Sequence, residues 1–238
     1  MQLNISNTKQ EVAKKFADYL TDLIHSKKRV HIALSGGSTP KIVFDELATN
    51  YIDKIDWKKV HLFWGDERCV PPTDTESNYK MTSEHLLSKV PIPIENIHRI
   101  KGENQPKYEV KRYAKVLKNK LPKIEKLPQF DLVILGMGDD GHTASIFPHE
   151  IALWNSYKLC EVAEHPETGQ KRITLTGKMI NHAVAVAFLV TGEPKAEKVA
   201  EIINRKGACN NYPASLVAPK SGKLYWFLDQ DAAAEITR

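Results

Sequence analysis

One segment of the 238-residue chain, Gly136-Met137-Gly138-Asp139-Asp140-Gly141-His142, carries the side chain best suited to moving a proton. Histidine titrates near neutrality and is the commonest general base. Asp140 stands two positions before His142, where a carboxylate can orient the imidazole and support the imidazolium that forms. A second polar segment, Gly65-Asp66-Glu67-Arg68, offers Asp66 as an acceptor for substrate hydroxyls and Arg68 as a donor to a carbonyl oxygen or a phosphate. A plainer role for those residues is a salt bridge internal to the loop. Asn78-Tyr79, further on, is expected to close over the site.

Anion binding is written in three other places. In Ser35-Gly36-Gly37-Ser38-Thr39-Pro40 the glycines allow a sharp turn and close backbone approach. Ser38 or Thr39 suits a helix N-cap and Pro40 the first helical position. Amide N–H groups, hydroxyls and a positive helix end would then face one point, the makings of a phosphate site. Thr191-Gly192-Glu193-Pro194-Lys195 repeats the logic. A cation in a first helical turn opposes the helix dipole, so a bound anion would give Lys195 a purpose. Arg172, at the head of Arg-Ile-Thr-Leu-Thr, is a third cation. Each could equally be an ordinary turn or a solvated surface charge.

Other chemistries fit poorly. GxxxxGK[ST] is missing and the Ser35–Pro40 loop does not complete GxGxxG; Gly136, Gly138 and Gly141 do fall at that spacing, but no helical pattern follows them, so nucleotide and dinucleotide sites are not expected. No GxSxG elbow supports a serine nucleophile. His142 and His149 have Pro148 between them and no third ligand at metal spacing, so no metal is expected.

The elements that must position these residues alternate between strand and helix. Helical spacing marks residues 8–26, 41–47, 76–88, 106–121 and about 195–204, with a helical turn near 178–181 and a helical tail at the C-terminus. Apolar runs at 30–34, 60–64, 132–135, 184–190 and 224–228, with a short one at 172–175, read as strands, several of them buried on both faces. Alternation of this kind predicts an α/β fold on one doubly wound sheet, with residues 1–238 as a single domain. Leu34, Trp64, Leu135 and Val190 each lead into a polar, glycine-bearing loop. Ligands of open α/β sheets bind beyond the carboxyl ends of the strands, so the four loops predict one shared pocket.

Composition narrows the class further. Apolar residues make up 42% of the chain, enough for a substantial core, and no apolar run is long enough to span a membrane. The first ten residues lack the basic-then-apolar order of a secretory signal, and three scattered cysteines suit free thiols, so a cytoplasmic location is expected. The net charge of +5 is concentrated in residues 101–126, where nine Lys or Arg face three acids. Val110, Tyr113, Leu117 and Leu121 fall on one side of that helix and Lys111, Lys115 and Lys118 elsewhere. A solvated face is the reading, not a nucleic-acid surface.

In order along residues 33–217, ALSGGSTP, WGDERCVP with ESNY, DLVILGMGDDGHTASIFP, RITLT with IN, TGEPKAE and YPASLV resemble the 6-phosphogluconolactonase family, within the group that includes glucosamine-6-phosphate deaminases. The resemblance implies a three-layer α/β/α sandwich around a Rossmann-like, mainly parallel sheet. It implies hydrolysis of 6-phosphoglucono-1,5-lactone in the oxidative pentose phosphate route, without a cofactor, by a monomer or weak homodimer. His142 matches the family's general base, Asp140 and Asp66 its motif acids, and Ser35, Gly36, Gly37, Ser38, Thr39, Arg172 and Lys195 its phosphate grip. The related deaminases carry a glutamate where this chain has Phe147; that acid helps the histidine open a sugar ring, and lactone hydrolysis does not need it. The competing expectations are an aminosugar-phosphate deaminase or isomerase and a non-catalytic sugar-phosphate sensor.

Overall fold

Val30–Leu34, Val60–Trp64, Leu132–Leu135 and Val186–Val190 are almost wholly buried, which requires partners on both edges and cover on both faces. The computed structural model describes residues 1–237 and supplies both. Its strands are β1 (Gln2–Ser6), β2 (Val30–Leu34), β3 (Val60–Trp64), β4 (Asp66–Arg68), β5 (Ile97–His98), β6 (Lys123–Ile124), β7 (Leu127–Pro128), β8 (Leu132–Leu135), β9 (Cys160–Glu164), β10 (Lys171–Leu175), β11 (Val186–Val190) and β12 (Leu224–Asp229). Its α-helices are α1 (Lys9–His25), α2 (Ser38–Asn50), α3 (Asn78–Thr82), α4 (Pro106–Lys120), α5 (Gly177–Asn181) and α6 (Ala196–Asn204).

Seven strands form one sheet in the order β1-β12-β11-β8-β2-β3-β5, every neighbouring pair parallel. Helices flank it to give the three-layer α/β/α sandwich. From β2 the chain moves outward to β3, then returns to place β8 on the other side of β2. Strand order therefore reverses between β2 and β8, and a crevice opens there at the carboxyl edge. The four strands whose loops were expected to converge, β11, β8, β2 and β3, are consecutive in the sheet.

Helix α1 shows how the layers are sealed. Thr8 caps it by accepting from the Glu11 N–H at 3.2 Å. Val12, Phe16, Leu20 and Ile24 recur along its buried stripe, and Phe16 meets Phe227 of β12 edge-on at 5.2 Å between ring centroids. Beneath, Phe188 of β11 stacks on its register neighbour Trp226 at 4.0 Å. In α4, the Tyr113 hydroxyl donates to the Trp64 carbonyl at 2.8 Å and accepts from the Trp64 N–H at 3.0 Å. This buried clasp fixes the end of β3, where the polar residues begin.

Several expectations need correction. Residues 66–68 are not a loop but the edge strand β4 of a small antiparallel sheet, β4-β10-β9, so the 172–175 strand lies outside the main sheet. The helix expected over 76–88 is α3 followed by one wide π turn, Ser83–Leu87. Helix α2 starts at Ser38 with Gly37 at the N-cap, so Ser38, Thr39 and Pro40 are its first three residues. Residues 230–235 form turns rather than a helical tail. The polar strand β1 and the two-residue β5 give no apolar run to detect.

Candidate active site

The turn after β2 and the turn after β8 are joined directly: the Gly136 N–H donates to Ser35 Oγ at 3.2 Å across the crevice. Gly37 at φ +108° swings the chain into α2, and the Thr39 hydroxyl hydrogen-bonds the Thr191 hydroxyl at 2.8 Å, linking the loop after β11. Gly192, at φ +97°, donates its N–H to Asp229 at 2.9 Å, which holds that loop in place. Ser35, Gly36, Gly37, Ser38, Thr39, Asp66, Arg68, His142, Arg172 and Lys195 all line a single cleft of about 200 Å³. Asp140 is not in the wall; it stands behind His142.

The loop after β8 is built around that histidine. Asp140 Oδ1 accepts from the His142 N–H at 3.0 Å and lies 2.6 Å from His142 Nδ1. Partial burial opposes ionisation of Asp140, but the hydrogen bond and charge of His142 outweigh it and hold the carboxyl down to about 2. A carboxylate only accepts, so in the neutral ring the proton between them belongs to Nδ1 and Nε2 keeps its lone pair. Gly138 must be glycine here, since a Cβ would fall 2.1 Å from His142 Nδ1. From below, the Tyr212 ring packs on Gly141, and the Ala214 N–H donates to the Gly141 carbonyl at 3.1 Å. The YPASLV segment is thus a floor for the histidine loop.

Asp66 is buried, receiving the Ser145 hydroxyl at 2.5 Å on Oδ2, while Asn78 Nδ2 donates to the Asp66 carbonyl at 3.1 Å. Among the described residues Glu67 forms no salt bridge. It accepts from the N–H groups of Arg68, Asn78 and Tyr79 and from the Ser77 hydroxyl, pinning α3 to β4. Asn78 presses on the first loop so closely that a Cβ on Gly36 would stand 1.9 Å from its Oδ1. Of the expected Asn78-Tyr79 cover, Asn78 lines the cleft, whereas Tyr79 packs edge-on against Trp64.

The cations fall into two groups. Arg68 and Arg172 are register partners on β4 and β10, and the Nε atom of each is buried without a hydrogen-bond partner. Burial, and then Arg68 beside it, pull the Arg172 guanidinium below its ordinary value. An anion in the cleft would relieve both costs. Lys195, on the loop after β11, is bound to Asp139 of the histidine loop. Phe147, 1% exposed, sits between His142 and Arg172, its ring 4.6 Å from the His142 ring and 5.4 Å from the Arg172 guanidinium carbon. Among the described residues no group of three or more His, Cys, Asp or Glu is arranged to hold a metal ion.

A family model described as glucosamine-6-phosphate isomerases/6-phosphogluconolactonase matches residues 4–226. The chain belongs to this family. The 6-phosphogluconolactonase of Haemophilus influenzae is 45% identical over 223 residues, 93% of this chain and 92% of its own. That of Treponema pallidum is 41% identical over 216 residues, covering 89% and 90%. A solved 6-phosphogluconolactonase from Trypanosoma brucei is 28% identical and superposes with a TM-score of 0.88 over 99% of this chain and 98% of its own. The strand-end loops singled out in the sequence supply the cleft wall. The supports escaped sequence reading: Ser145, Thr191 and Asp139 act across 79, 152 and 56 residues of chain, and no local spacing announces such pairs.

Proposed function

We propose that the cleft hydrolyses 6-phospho-D-glucono-1,5-lactone to 6-phospho-D-gluconate, with His142 as general base on the attacking water. Lactone hydrolysis is the activity named for the relatives that match over most of the chain. The observation that carries the residue assignment is the Asp140–His142 pair at 2.6 Å, which leaves a basic Nε2 on a residue that lines the cleft.

In this reading the phosphate is held by the Ser35–Thr39 turn, Lys195 and Arg172, which places C1 of the lactone beside the imidazole. Lys195 would exchange Asp139 for the phosphate. His142 Nε2 takes a proton from water, the oxygen attacks C1, and Arg68 or backbone N–H groups of the glycine loops hold the oxyanion. Collapse of the tetrahedral intermediate breaks the bond from C1 to the ring oxygen, and the imidazolium returns its proton to that oxygen. Asp66 accepts a substrate hydroxyl. General-base catalysis is worth about 10²–10⁴-fold, which suits an ester already prone to hydrolysis.

Buried Phe147 in the position of the deaminases' glutamate supports hydrolysis over ring opening. We also infer that residues 1–238 act as one domain, without a cofactor, as a cytoplasmic monomer or weak homodimer that does not bind nucleic acid. Among the described residues no helix is long and apolar enough to cross a membrane. The test is acid release from freshly generated lactone against its spontaneous background, beside ammonia release from glucosamine-6-phosphate. Lactone turnover without ammonia is expected. Ammonia release would favour the deaminase, and binding of 6-phosphogluconate with no turnover the sensor.

A further inference from the structure

A second concentration of positive charge shares no lining residue with the catalytic cleft. Lys111 and Lys118 on α4, with Lys123 and Lys126 of the β6–β7 hairpin, are exposed and rim a hollow of about 430 Å³. Its floor is apolar: Val110, Ala114, Leu127, Pro128 and Leu159. Among the described residues these four lysines have no carboxylate at ion-pair distance, whereas Lys158 and Lys220 nearby pair with Glu161 and Glu125. A second hollow of about 390 Å³ continues from the first, sharing Leu127, Tyr157 and Lys178 with it. In its wall His182 is 5% exposed, and its Nε2 is buried without a hydrogen-bond partner. Tyr157, at the junction, is 80% exposed. No Asp or Glu lines either hollow.

We propose that this groove docks an extended acidic segment of a partner protein. One apolar side chain of the segment enters the hollow between α4 and β7, its carboxylates meet the lysine rim, and a polar group reaches His182. Unneutralised lysines around an acid-free groove set the sign of the partner. The apolar floor sets its class. A nucleic acid needs cations for its phosphates and aromatic faces for its bases, and here Tyr157 is the one exposed ring. A peptide side chain such as leucine instead gains by burial in a hollow walled by valine, leucine and proline. The sequence-based reading of the lysines as a solvated face omits this floor, because Leu127, Pro128 and Leu159 come from outside α4.

The probe is a fluorescein-labelled peptide of glutamates and aspartates around a single central leucine, followed by anisotropy at low and at physiological ionic strength. Saturable binding that weakens with salt is expected. It should fall by about tenfold or more with the double substitution Lys118→Glu and Lys126→Glu, and severalfold with Tyr157→Ala or when alanine replaces the leucine. Lactone hydrolysis should be unchanged in each variant. Absence of saturable binding, equal affinity for the charge-reversed variant, or tighter binding of a single-stranded oligonucleotide of equal charge would each overturn the proposal.

Discussion

His142 Nδ1 and Asp140 Oδ1 lie 2.6 Å apart, and the same oxygen also receives the His142 backbone N–H. One carboxylate thus fixes both the loop and the tautomer. Asp140→Asn keeps the shape but can offer its amide N–H to Nδ1, which would move the ring proton to Nε2. Turnover should fall by about 10- to 1,000-fold with a smaller change in substrate affinity, checked by steady-state kinetics. The folded pKa of Asp140 is depressed, so its stabilising effect is complete above the ordinary carboxylate range and is lost as pH falls through about 2. An acid limb in the pH profile of activity should therefore not belong to Asp140.

Gly138 offers a cleaner disturbance, because it contributes no functional group. A Cβ there would lie 2.1 Å from His142 Nδ1 and 2.8 Å from Asp140 Oδ1. Gly138→Ala should push the ring from its seat and lower turnover by about 100-fold, as small misplacements of a catalytic group do. Its thermal midpoint should move only a few degrees. Near-normal turnover in the folded variant would show that the ring position is not critical.

Arg172 is buried, has no acidic partner at ion-pair distance among the described residues, and faces Arg68. Removing it would take away the proposed phosphate contact while relieving a like-charge neighbour. Arg172→Leu should raise KM about 10- to 100-fold, the range of a charge-assisted hydrogen bond, and leave kcat within about threefold. Stability should hold or rise. A fall in kcat at constant KM would place Arg172 at the reacting carbonyl instead.

How far the chain disclosed itself depended on range. The strands β2, β3, β8 and β11 were legible because burial on both faces demands continuous apolar runs, and their polar ends named Ser35, Asp66, His142 and Lys195. Short range also sufficed for Asp140, two residues from its partner. The small sheet was not legible: Asp66-Glu67-Arg68 has no strand-like alternation, and β4 exists because β10 supplies its ladder more than 100 residues later. The helix cap at Gly37 was missed for a similar reason. Ser38 and Thr39 are good capping residues, but the Thr39 hydroxyl is engaged by Thr191. Phe147 could be noted only as a departure; its seat between His142 and Arg172 is a tertiary fact.

Away from the cleft, His31, His61 and His98 stack across β2, β3 and β5, with centroids 5.2 and 5.6 Å apart. His61 Nδ1 and His98 Nε2 are 3.3 Å apart, a contact that needs one donor and one acceptor and is lost when both rings are charged. Burial first, then neighbouring positive groups, pushes both down to about 4. Between about pH 6.5 and 4 the unfolded chain binds protons that the folded one refuses, so stability should drop across that window and level off above it. Urea midpoints measured against pH should show this slope, and His98→Leu should flatten it. An equal slope in the variant would place the titrating groups elsewhere.

The most direct test of the account is His142→Ala, with turnover of freshly generated lactone and binding of 6-phosphogluconate measured on the same preparation. Loss of the base should cut kcat by about 10²–10⁴-fold while the dissociation constant stays within about threefold. A variant that hydrolyses the lactone at near the parental rate would contradict the role given to the imidazole.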